Sequence, residues 1–149
     1  MYYFAYCTYL DEELARQKLP GKFEFITKGK AVGHTVQFRT AGARDRGWCH
    51  LSNAPDAFGQ ITLGIIYEVG DRPRGPGFDH YERIFFTVHG EDGKAYDCYG
   101  SRLVTPGAPM RLPNAEWEHV RVGMRNWKFP ETYVKYVQKL HDEAAPCLT

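Results

Sequence analysis

The sequence predicts an α+β fold, a small mixed β-barrel of about six strands with flanking helices. Three observations carry that prediction. Ten Tyr, nine Phe and three Trp give a 15% aromatic share, which favours sheet. Strand-like runs dominate the first hundred or so residues without the regular alternation of strand and helix that builds a doubly wound sheet. Two helical patterns are confined to the end of the chain, after a proline-rich stretch. At 149 residues the chain suits a single domain over residues 1–149.

Taken in order, YYFAYCTYL (residues 2–10) is apolar on both faces and reads as a central first strand. Asp11-Glu12-Glu13 opens a short helix, DEELARQKL, which Pro20-Gly21 ends. Residues 23–26 and 31–38 flank Lys28-Gly29-Lys30 and read as a hairpin. Residues 39–60 hold Gly, Arg and little periodicity, and read as a long loop of the kind that usually serves a site. ITLGIIYEV (61–69) is the strongest strand, with Gly64 marking a close backbone approach. GDRPRGPG cannot be regular structure, and FDHYE (78–82) reads as one helical turn capped by Asp79. RIFFTVHGEDGKAYDCYGSRLV is a hairpin about Glu91-Asp92-Gly93-Lys94. TPGAPMRLPN connects to the helical patterns WEHVRVGMRNW and ETYVKYVQKLHDEA, which Phe129-Pro130 separates.

A net charge of +1 with no run of Lys or Arg gives no field to gather a polyanion, so nucleic acid is not an expected partner. No run approaches the roughly 20 apolar residues of a membrane span, and no secretory leader is visible, so the expected setting is the cytoplasm, as a monomer or homodimer. Cys7, Cys49, Cys98 and Cys147 are far apart, without CxxC spacing, and are expected to be free thiols. Cys49-His50 is a poor start for a metal site, because neighbours in sequence rarely chelate one ion, and neither metal nor cofactor is expected. GxSxG, GxGxxG, P-loop and HExxH patterns are lacking, which removes the commonest hydrolase, dinucleotide, phosphate and zincin readings.

What remains is the aromatic strand ending in Cys7-Thr8-Tyr9-Leu10, and the acidic segment after a strand and a Gly/Pro loop. YFAYCTYL is similar to the YFAYGSNL opening of the γ-glutamylcyclotransferase-like family. Gly64-Ile-Ile-Tyr67 and Phe78-Asp79-x-x-Glu82 resemble its GxxY and LDxxEG elements, and Pro113-Asn-Ala-Glu-Trp117 with residues 123–140 resembles its closing segment. The resemblance implies a barrel-like α+β fold and a small-molecule γ-glutamyl substrate. It implies release of 5-oxoproline, or a related lactam, as the α-amine attacks its own γ-carbonyl.

By that resemblance Glu82 is the base and then the acid, and the loop Tyr6, Cys7, Thr8, Tyr9 and Leu10 holds the γ-glutamyl group through backbone N–H donors, with Trp117 as a pocket wall or a core anchor. The chemistry suits these residue types: an ammonium is not nucleophilic until a base takes its proton, and one carboxyl can serve in both directions. Burial among Phe78, Tyr81 and Phe85-Phe86 would tune that base. Cys7 stands where the family has Gly, Thr8 and Tyr9 where it has Ser and Asn, and Arg83 where it usually has Gly. A thiol-dependent amidase using Cys7, and a non-catalytic binding protein of the same fold, are the alternatives. Arg44 and Arg46 are candidates for holding a substrate carboxylate, or are solvated loop charges.

Overall fold

The protein is described by a computed structural model over residues 1–19, 21–53, 60–70 and 80–148. Residues 71–79, and with them Asp79 and its cap role, lie outside the described residues; Tyr81 and Glu82, expected in a helical turn, open a strand instead.

Five strands close a mixed barrel in the order β1 (Tyr2–Ala5), β5 (Ile61–Val69), β2 (Phe23–Val32), β6 (Tyr81–Gly90) and β7 (Ala95–Leu103). Only the closing pair is parallel, with Tyr2 opposite Cys98 and Tyr3 opposite Tyr99. β3 (His34–Ala41) and β4 (Ala43–Asn53) form a separate two-stranded sheet. Three helices, α1 (Glu12–Lys18), α2 (Asn114–Asn126) and α3 (Glu131–Glu143), complete the α+β fold. None of the described helices is long and apolar enough to cross a membrane.

The strand of residues 61–69 and the hairpin about Glu91–Lys94 form as the sequence predicts. Asp11 caps α1 by accepting from the N–H groups of Glu13 and Leu14. Three further expectations are corrected. The opening run is a strand only to Ala5, and a 3-10 turn, Thr8–Leu10, follows. Lys28-Gly29-Lys30 is not a turn, because β2 runs straight through it. Gly29 is there for closeness, since a Cβ would press on the Val88 side chain across the sheet, and the chain reverses at Gly33 with φ +79°.

The third correction concerns residues 39–60, most of which are strand. β3 and β4 pair from His34 opposite Asn53 to Ala41 opposite Ala43, turning at Gly42. Their inward positions include Gly47 and His50, so no apolar alternation shows in the sequence. The proline-rich connector, residues 105–113, lies along β3: Thr40 N–H donates to Ala108 O (2.9 Å) and Met110 N–H to Phe38 O (3.0 Å).

Phe4, Ile65, Ile66, Tyr67 and Val88 are fully buried in the hydrophobic core on the two faces of the barrel sheet, each burial contributing about 1.5–3 kcal/mol. At Gly64 β5 packs tightly on β1, and a Cβ there would overlap the Ala5 carbonyl oxygen and the Phe4 ring. Two histidines are buried as neutral acceptors. His50 Nδ1 accepts from Leu103 N–H (3.0 Å) and His141 Nε2 from Leu112 N–H (2.9 Å). Burial first, and then Arg39 and Arg102 for His50 or Arg111 for His141, pulls each down to about 4.

Two outcomes follow. Gly64→Ala should cost about 1–3 kcal/mol, read as a lowered urea midpoint, and an unchanged midpoint would contradict the close approach. The unfolded chain protonates these histidines below about 6.5 while the fold keeps them neutral to about 4, so stability should fall as pH drops from 6.5 toward 4. Each ring can contribute up to about 3 kcal/mol of that loss. Equal midpoints at pH 7 and pH 4.5 would count against it.

Candidate functional site

The end of β1 delivers its 3-10 turn to the flank of the barrel, where it meets β4, the start of β6, β7 and the first turn of α2. A cavity of about 200 Å³ lies among them, lined by Tyr3, Tyr6, Cys7, Thr8, Tyr9, Trp48, Cys49, Tyr81, Ser101 and Glu116.

The turn is anchored from behind. Tyr67, fully buried, donates its hydroxyl to Tyr9 O (3.0 Å), and Trp127 Nε1 donates to Leu10 O (2.8 Å). Gly123 of α2 sits directly on Leu10, where any Cβ would collide with its backbone. The turn closes on itself where Leu10 N–H donates to Cys7 O (3.1 Å).

Three of the phenols around the cavity, those of Tyr3, Tyr6 and Tyr81, stay protonated. Burial holds the Tyr3 and Tyr6 hydroxyls well above their ordinary range, and it raises Tyr81 too, with Glu116 adding to the effect and Arg46 opposing it. They therefore act as donors: Tyr6 Oη gives to Ser101 O and Tyr81 Oη to Cys49 O, each at 2.7 Å.

Among the described residues, the carboxylate in the lining is Glu116, near the N-terminus of α2. Arg46 grips both of its oxygens, Nη1 to Oε2 at 2.6 Å and Nη2 to Oε1 at 2.9 Å. The guanidinium also lies 3.6 Å over the Trp48 ring. A carboxylate has roughly four acceptor positions, so this fork leaves lone pairs for a ligand. Arg46 is thus neither a solvated loop charge nor an open anion clamp. The side chain of Arg44 lies outside the described residues.

The residues expected from sequence divide. Tyr6, Cys7, Thr8 and Tyr9 come together in the lining. Leu10 is buried beneath the turn, and Trp117 is stacked on His141 (centroids 3.9 Å apart) in the core behind α2. Glu82, one residue after Tyr81, points to the other face of β6 and pairs with Arg102 Nε at 2.6 Å. The aromatic burial expected for it is not seen: its side chain is 39% exposed, and Phe85 is 71% exposed.

The free-thiol expectation is also corrected, since Cys7 and Cys49 form a disulfide, with Cα atoms 6.3 Å apart. Cys98 and Cys147 take no part in this disulfide. A nucleophilic Cys7 has no thiolate in this state. Sequence reasoning missed Tyr3, Trp48, Cys49, Tyr81, Ser101 and Glu116 of the lining. Glu116 was adjacent to the residue chosen, Trp117, and one step along a helix turns the side chain by about 100°.

A barrel closed by its first strand, with a turn at that strand's end and a cavity beside it, defines the γ-glutamylcyclotransferase-like fold. Three solved structures share it. One is a γ-glutamyl cyclotransferase, with a TM-score of 0.72 and 16% identity over 98% of this chain and 88% of that one. YkqA from Bacillus subtilis gives 0.76 and 16%, and this chain spans about half (55%) of its length. The uncharacterized protein loc79017 from Homo sapiens gives 0.71 and 16%, with 97% and 88% covered. No family model matches the chain, and no curated protein does either.

Tyr67→Phe removes the donor to Tyr9 O while keeping the ring. It should cost about 1–2 kcal/mol, seen as a lower melting temperature, and a loss under a few tenths would show that the turn is held by other contacts.

Proposed function

We propose that this chain is a cyclotransferase that takes a γ-glutamyl amide into the cavity and releases 5-oxoproline, or a related lactam, with a free amine. One observation carries the reading: in a γ-glutamylcyclotransferase-like fold, the turn at the end of β1 faces a carboxylate, Glu116, across a cavity walled by protonated tyrosines.

In this reading the N–H groups opening the 3-10 turn hold the γ-carbonyl oxygen as it gains charge, a contribution of about 3–4 kcal/mol per donor in well-placed cases. Glu116 takes a proton from the substrate's α-ammonium, the amine attacks the γ-carbon, and the proton returns to the departing amine. Because the attack closes a five-membered ring within one molecule, orientation can supply roughly 7–11 kcal/mol of the barrier. Arg46 and Trp48 fix the carboxylate for both transfers. Glu82, the candidate by sequence resemblance, is held by Arg102 away from this lining, so the base in this proposal is Glu116.

The test is mass-spectrometric detection of 5-oxoproline from a panel of γ-glutamyl amides and dipeptides. Wild type should give product, Glu116→Gln should fall by about a hundredfold or more, and Glu82→Gln should stay within a few-fold of wild type. The opposite pattern would return the role to Glu82. Ligand uptake by thermal shift with no product from any amide would favour a binding protein.

A further inference from the structure

Two cysteines 42 residues apart are joined at the cavity wall, one at the mouth of the 3-10 turn and the other on β4 between Trp48 and His50. Both belong to the lining. Their bond is a covalent tie between two parts of the site that are otherwise built separately. The turn is held by Tyr67, Trp127 and Gly123, with no part taken by sulfur. The β3–β4 sheet is held by its own ladder, by the 105–113 connector, by Tyr81 Oη on Cys49 O and by Leu103 N–H on His50. Opening the bond therefore leaves each side folded and changes how firmly the wall carrying Trp48 is set against the turn.

We propose that Cys7–Cys49 is a thiol–disulfide switch on this cavity, opened by a dithiol reductant, and that the closed form is the one that holds ligand. A thiolate of the dithiol attacks one Sγ, forming a mixed disulfide and releasing the other cysteine. The second thiolate then displaces the protein sulfur. Two electrons and two protons pass to Cys7 and Cys49, and the dithiol leaves as its cyclic disulfide. The other cysteines do not compete. Cys98 is buried and its thiol is pushed up to about 12, first by burial, while Cys147 Sγ donates to Asp45 O (3.5 Å) away from the lining. Closure favours binding because the two walls are placed before the ligand arrives, so less ordering is left for the binding step.

The experiment equilibrates native protein in dithiol buffers of graded reducing strength, alkylates it, and counts and maps the labels by intact-mass and peptide spectrometry, with circular dichroism alongside. Labels on Cys7 and Cys49 should appear together, with the fold intact throughout. The turnover arm rests on the cyclotransferase reading: with γ-glutamyl-alanine as probe, reduction should raise KM by about fivefold or more. C49S should show the raised value in both buffers, unresponsive to reductant. Both cysteines labelling in oxidised native protein, opening only together with unfolding, or a KM indifferent to redox state would overturn the switch. If the wild type makes no product in either state, the cyclotransferase reading fails by itself, and the labelling arm still decides whether the pair opens in the folded protein.

Discussion

Two residue pairs of parallel ladder, Tyr2 with Cys98 and Tyr3 with Tyr99, close the barrel. Every other barrel pairing is antiparallel, and without this one β1 would be a short edge strand on an open sheet. Closure makes β1 central although it has only four residues, and it removes the open edges of the barrel sheet. It also fixes where the chain goes next. A strand pinned on both sides by β5 and β7 ends at a defined place, and there the 3-10 turn meets Gly123 and the cavity begins. The remaining walls come from sequence-distant elements that gather around this one point.

The charge balance at that point is economical. Neutral phenols line the cavity, kept neutral by the burial that makes them walls, and the carboxylate among them is matched by a guanidinium seated on an indole. A carboxylate held from two directions loses little rotamer freedom when a ligand arrives. The arrangement sets one paired carboxylate and the hydroxyls of Thr8 and Ser101 in a largely aromatic lining, which is how small-molecule sites usually combine affinity with direction.

Elements whose residues speak locally were legible in the sequence. ITLGIIYEV is rich in β-branched residues, Glu91-Asp92-Gly93-Lys94 is a turn by composition, and the last two helices carry apolar positions at helical spacing. The resemblance of YFAYCTYL to a known opening located the turn and four residues of the lining. Where meaning depends on a distant partner, the sequence was silent. Gly29 looks like a turn residue until Val88 is seen against it, and His50 interrupts the apolar pattern of a strand because its partner is the Leu103 N–H. Glu116 resembles any acidic residue in a helix's first turn until Arg46, seventy residues earlier, is found on it. The disulfide is of the same kind: spacing gave no hint that Cys7 and Cys49 meet.

The two-stranded β3–β4 sheet lies outside the barrel and has edges of its own. Along β3 runs the connector, paired through Thr40 and Met110 and bridged at Arg39 and Pro109. Pro106, Pro109 and Pro113 in that connector have no N–H to offer a further strand. What looked in the sequence like a spacer is an edge guard: it satisfies β3 and presents an outer rim that cannot template cross-β growth. Substituting these prolines by residues with a free N–H would thus bear on the chain's tendency to aggregate, a property separate from its stability and its chemistry.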